Sequence, residues 1–112
     1  MHEKEEILQE NFKEYFTFGL EAYNHEKYNT ATTLFFKALV ALCDIFILRK
    51  EGYVPSSHTH RFRILEEKYP EIYDVADKDF PFYQESYTQK MNKETAELLK
   101  EDVEHIKETL GI

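Results

Sequence analysis

The residues best suited to chemistry crowd into one short stretch, "YVPSSHTHRFR" (53–63), where His58, His60, Arg61 and Arg63 fall within six positions. Imidazole moves protons near neutral pH, and guanidinium grips phosphate or carboxylate through two parallel hydrogen bonds. These types suit four roles: a metal site, an RNA-cutting site, an anion grip, or a polar helix start. A His-x-His pair binds zinc when the backbone is extended, because both rings then leave the same side. On a helix the two rings point about 200° apart and cannot share an ion. No cysteine is close, and a third ligand would have to come from distant acids such as Asp77 or Asp79. The expectation is therefore no metal and no cofactor. As a helix start, the stretch would bond His58 to nearby backbone and leave His60, Arg61 and Arg63 on a solvated face. There the helix N-terminus and two guanidinium groups together attract an anion. Arg49 stands where a cation suits the C-terminal end of a helix dipole. Tyr83 and Tyr87 can stack on a base or fill the core.

Those side chains need elements to hold them, and apolar spacing predicts helices throughout. Phe12, Tyr15, Phe16, Gly19, Ala22 and Tyr23 recur at steps of three and four, which places them on one helix face. "NHEKYN" (24–29) interrupts the pattern as a short connection. A second helix spans about 29–51, with Leu34, Phe35, Ala38, Leu39, Leu42, Ile45 and Phe46 as its main stripe. Phe36, Val40, Ala41, Cys43 and Ile47 cover its other sides, so it belongs in the centre. Gly52 suits the left-handed residue that ends a helix. Ser56 or Ser57 caps a third helix through "HTHRFRILEEKY", and Pro70 breaks or restarts it. "FPFYQESYTQKM" (80–91) lacks a clear period and reads as a loop with a helical turn. Asn92 caps the last helix, where Ala96, Leu99, Val103, Ile106 and Leu110 form a narrow heptad seam closed by Gly111. The expected fold class is all-α, an up-and-down bundle of four to five helices in a single domain over 1–112.

Composition limits the function classes. With 112 residues, 42% hydrophobic and 15% aromatic, the chain can bury one core and is not a disordered segment. Its net charge of −8 opposes non-specific nucleic-acid binding, which runs on a basic surface that releases counterions. A local basic patch is still open to it. The single cysteine, Cys43, lies in an apolar run and reads as a core residue. "ATTLFFKALVALCDIFIL" carries Lys37 and Asp44, so it is expected to be a buried helix rather than a membrane span. No signal peptide is visible, and the expected location is cytoplasmic.

Two resemblances follow from particular residues. "GLEAYNHEKYNTATTLFFKAL" resembles one tetratricopeptide unit, with Gly19, Ala22, Tyr23, Tyr28, Ala31, Phe35, Ala38 and Leu39 at its small and aromatic packing positions. A solenoid of such units needs about three repeats, and one repeat length of about 34 residues further on lies the Ser-His-Thr-His loop, which matches nothing. The wider likeness covers nearly the whole chain. Tyr28, Ala31, Phe35, Ala38, Gly52, Pro55, His58, Leu65 and Tyr87 in "ESY", taken in order, resemble the HEPN superfamily, in particular its small stand-alone prokaryotic members.

That second resemblance implies a four-helix up-down bundle, usually a homodimer, often beside a minimal nucleotidyltransferase in a toxin–antitoxin pair. It also implies RNA or a nucleotide as a ligand class, since many members are metal-independent RNases. Their signature is an Arg, four to six intervening residues and then a His, with the site formed across a dimer interface. Here Arg49 and His58 are separated by eight residues and no other pair fits. The leading expectation is thus a dimeric binding or regulatory subunit rather than an enzyme. One alternative is an RNase in which folding or dimerisation brings His58 to Arg49 or Arg61, with His acting on protons and Arg on phosphate charge. Another is a tetratricopeptide-like interaction hairpin.

Overall fold

A computed structural model describes residues 2–112. Its helices are α1 (His2–Asn24), α2 (Tyr28–Glu51), α3 (His58–Lys68), α4 (Pro70–Glu85) and α5 (Lys93–Leu110). Among the described residues there is no strand, and the fold is the all-α bundle that the apolar spacing predicts.

The periodic face of α1 lies along α2 in antiparallel fashion, with Phe16 against Phe35 (ring centroids 5.7 Å apart) and Tyr23 edge-on to Tyr28 (5.8 Å). Gly19 sets how closely they approach. A β-carbon there would fall 2.7 Å from Phe35 Cε1, inside van der Waals contact. Between the two helices Glu26 takes a left-handed backbone (φ 60°), and the Lys27 N–H returns to the Ala22 carbonyl at 2.8 Å. This closes the helix in the manner usually given to glycine.

Helix α2 is central. Its Phe35, Ala38, Leu42 and Ile45 are completely buried, and each large apolar side chain so placed contributes roughly 1.5–3 kcal/mol. It is long and apolar enough to cross a membrane, yet 72% of its most apolar window is covered by the other helices, as befits the core helix of a bundle. Gly52, at φ 88°, ends it by donating to the Leu48 carbonyl.

Ser57 is the cap of α3, its hydroxyl accepting from the His60 N–H at 3.0 Å. Pro70 opens α4 at a position where a missing N–H costs nothing. The Glu51 carboxylate fixes this corner, accepting from Tyr69 Oη (2.6 Å) and Lys68 Nζ (2.8 Å). Asn92 caps α5 by accepting from the Thr95 N–H at 2.8 Å, and Gly111 closes it at φ 69°.

The structure corrects the reading of 80–91. Helix α4 continues through Pro81 to Glu85, leaving only 86–92 as loop. Pro81 is on the exposed side, where the bond it removes can be replaced by solvent. On the inner side Phe80 and Tyr83 pack on Phe36, with centroids 5.8 and 4.8 Å away. The loop that follows is tied to the start of α2. Asn29 Nδ2 donates to the carbonyls of Ser86 (2.9 Å) and Gln89 (2.6 Å), and Asn29 Oδ1 accepts from the Met91 N–H (3.0 Å).

Candidate functional site

The Ser57 cap starts α3 so that His58 and Arg61, three residues apart, share one helix face. His60 is turned to another task. Its Nδ1 accepts from the Ser56 N–H at 3.1 Å, and its ring stacks on Tyr53 at 5.8 Å. The two histidines therefore stand apart, as a helical backbone requires.

His58 and Arg61 look onto a cavity of about 290 Å³ between α1, α2, α3 and α4. Helix α1 lines it with Leu8, Asn11 and Tyr15; α2 adds Phe36, Lys37, Val40, Ala41 and Asp44; α4 adds Tyr83. Arg61 crosses to α2 and holds Asp44 with two hydrogen bonds, Nε to Oδ1 at 2.7 Å and Nη2 to Oδ2 at 2.9 Å. Asp44 is almost fully buried, so this pairing removes a desolvated charge that would otherwise oppose folding.

The His58 ring lies between Phe62 and Phe80, both centroids 4.3 Å away. Burial first, and the nearby Arg61 charge second, push its pKa below the ordinary histidine value. The imidazole is thus neutral at pH 7, able to accept a proton or a hydrogen bond. Lys37 has no carboxylate partner among the described residues, and its Nζ stands 5.8 Å from the centre of the Tyr83 ring. Tyr83 stacks on Phe36 and shares a 2.8 Å hydrogen bond between hydroxyls with Tyr87. Together these groups offer an aromatic wall, one ammonium without a carboxylate partner among the described residues and one neutral imidazole. That set fits a ligand joining a flat ring to an anion.

Of the residues singled out from sequence, His58, Arg61 and Tyr83 line the cavity, while His60, Arg63 and Tyr87 do not. Tyr87 supports Tyr83 from outside and is 69% exposed. Arg49 is not brought to His58. It binds Glu5 of α1, Nε to Oε1 at 3.0 Å and Nη2 to Oε2 at 2.9 Å, and does not line the cavity. The cause is geometric: Arg49 follows Asp44 by five positions, which turns its side chain roughly 140° around α2 and away from the cavity face. Sequence reasoning missed Lys37 and Asp44 as site residues. Seven positions apart on a helix, two charges in an apolar run lie on one side, and that was the available signal.

Comparison with family models, with curated proteins and with solved structures finds no match to this chain.

Proposed function

We propose that this chain is a HEPN-type binding module that holds a nucleotide, free or at an RNA end, in the cavity between α1 and α4, and acts as a dimeric regulatory subunit in the cytoplasm. The observation that carries the reading is Lys37. It is a cation without a carboxylate partner, set beside the Tyr83 ring in a cavity whose own arginine is already neutralised by Asp44. A base would stack on the tyrosine side and a phosphate would meet the ammonium. The order of Tyr28, Phe35, Gly52, Pro55, His58 and Tyr87 supports the HEPN reading, and with it a second copy and a minimal nucleotidyltransferase as partners. Calorimetric titration with AMP, UMP and a short RNA tests the ligand. Binding that weakens at least tenfold in Lys37→Met supports it; no heat with any of the three ends it. Mixing with a cognate nucleotidyltransferase at micromolar concentration, followed by light scattering on the eluted peak, tests the assembly.

A second reading is favoured by one observation, the meeting of His58 and Arg61 in the same cavity. In an RNase, neutral His58 would take the proton from a ribose hydroxyl while Arg61 steadied the phosphate. Arg61's two hydrogen bonds to Asp44 weigh against that role. RNA cleavage that disappears in His58→Ala would establish the RNase; equal background with both proteins would remove it. The tetratricopeptide-type hairpin has less support, because Phe35, central to its packing surface, is fully buried within the bundle.

A further inference from the structure

Away from the cavity, the core of α4 contains an ionisable group that nothing above uses. Asp79 is completely buried, and among the described residues neither of its carboxylate oxygens has a hydrogen-bond donor. Facing it from α5 is Asp102, whose Oδ2 is also buried without a well-directed donor. Lys78, on Asp79's own helix, is 3.0 Å from Asp102 Oδ2 but 3.9 Å from Asp79 Oδ1, so its charge goes chiefly to Asp102. On the other sides α2 and α3 set Phe36, Phe62 and His58 against the adjacent Phe80, and among the described residues they place no charged group on Asp79.

Two carboxylates cannot both stay ionised in such a place with one lysine between them. A single proton resolves the arrangement. It gives Asp79 an O–H to donate, gives Asp102 a donor, and leaves one carboxylate to balance Lys78. We propose that Asp79 and Asp102 share one proton at neutral pH, and that this buried pair is a pH-sensitive latch fastening α4 to α5. Burial foremost, then the bond and charge of Asp102, raise the Asp79 pKa to about 8. The latch bears on the ligand cavity because α4 also carries Phe80, which packs on His58, and Tyr83, which forms a cavity wall. That consequence rests on the nucleotide-binding reading; the latch itself does not.

The unfolded chain gives up this proton near pH 3.9, whereas the folded chain keeps it until about 8. The folded state therefore holds the extra proton, and its advantage is complete below about pH 3.9, shrinks as pH rises and is gone above about 8. Asp79→Asn keeps a donor for Asp102 and removes the titration. Denaturant unfolding at pH 5 to 9 should show the parent's folding constant falling, relative to Asp79→Asn, by about tenfold per pH unit up to about 8. Parallel curves for the two proteins would overturn the latch. Should the variant not fold, carboxyl carbon NMR of the intact protein decides: Asp79 titrating near 8 supports it, and titration in the ordinary carboxylate range overturns it. With AMP as probe, the parent's affinity should fall between about pH 7 and 9, above the range in which the phosphate and His58 themselves titrate, and stay level in Asp79→Asn. A latch that titrates while AMP affinity stays constant would overturn the link to the cavity. Absence of AMP binding in a protein with the expected stability slope would overturn the cavity reading alone.

Discussion

Arg61 of α3 and Asp44 of α2 form a bidentate ion pair, with bonds of 2.7 and 2.9 Å and side chains only 13% and 8% exposed. Among the described residues it is the one charged tie between the α3 start and the central helix at the cavity. Removing one partner leaves a buried charge without compensation, so Arg61→Ala should cost about 3–5 kcal/mol in denaturant unfolding. Arg61→Met combined with Asp44→Leu should recover much of that loss. A double mutant no more stable than Arg61→Ala would show that the loss does not come from an unpaired Asp44 charge.

His58 adds a pH dependence of opposite sign to the carboxyl latch. Its folded pKa is lowered, so in the window below the ordinary value the unfolded chain binds the proton more readily. Stability from this group is present above about pH 6.5 and is lost as pH falls through that range. His58→Phe, which can keep the stack on Phe62 and Phe80, should lose less stability than the parent between pH 7 and 5. An imidazole NMR titration at or above the ordinary histidine value would contradict this.

Gly19→Ala is a one-carbon change with a large expected effect. The new methyl meets the Phe35 ring at 2.7 Å and forces α1 away from α2, an overpacking cost of about 1–3 kcal/mol. Helix propensity alone predicts a gain of roughly 1 kcal/mol, so the sign of the change in thermal unfolding separates the two. Restoration of stability by Phe35→Leu in the Gly19→Ala background would locate the strain at that contact.

Glu26 occupies a left-handed backbone position at φ 60°. A glycine there avoids a steric cost of about 1–2 kcal/mol but loosens the unfolded chain by somewhat less. Glu26→Gly should therefore stabilise by up to about 1 kcal/mol. A drop in midpoint denaturant concentration would refute that balance.

How much the sequence disclosed depended on how local the signal was. The ends of α2 and α5 were legible because Gly52, Asn92 and Gly111 act on their immediate neighbours. Helix α4 was obscured by two residues. Asp79 stands at a core position and breaks the apolar period, and Pro81 is usually a helix breaker. Burial of Phe80 and Tyr83 on α2 outweighs both, and that contact joins residues far apart in the chain. At the site, the sequence left any meeting of His58 and Arg61 to folding or dimerisation, although their three-residue spacing on α3 is what puts them on one face. Nothing local indicated that Asn11 and Tyr15 of α1 would face them. Arg49 is nearer His58 in sequence than Asp44 is to Arg61, yet only the latter pair meets.

The side-chain amide of Asn29 has a kinetic consequence. Its three bonds reach Ser86, Gln89 and Met91, separations of 57, 60 and 62 residues. Contacts so distant along the chain carry a high closure entropy and form after the local α1–α2 hairpin. Once made, they hold the α4–α5 loop shut. Asn29→Ala should thus steepen the escape from the native state, raising the unfolding rate while leaving the refolding rate nearly unchanged. One small polar side chain at the head of the central helix would then govern how long the finished bundle lasts.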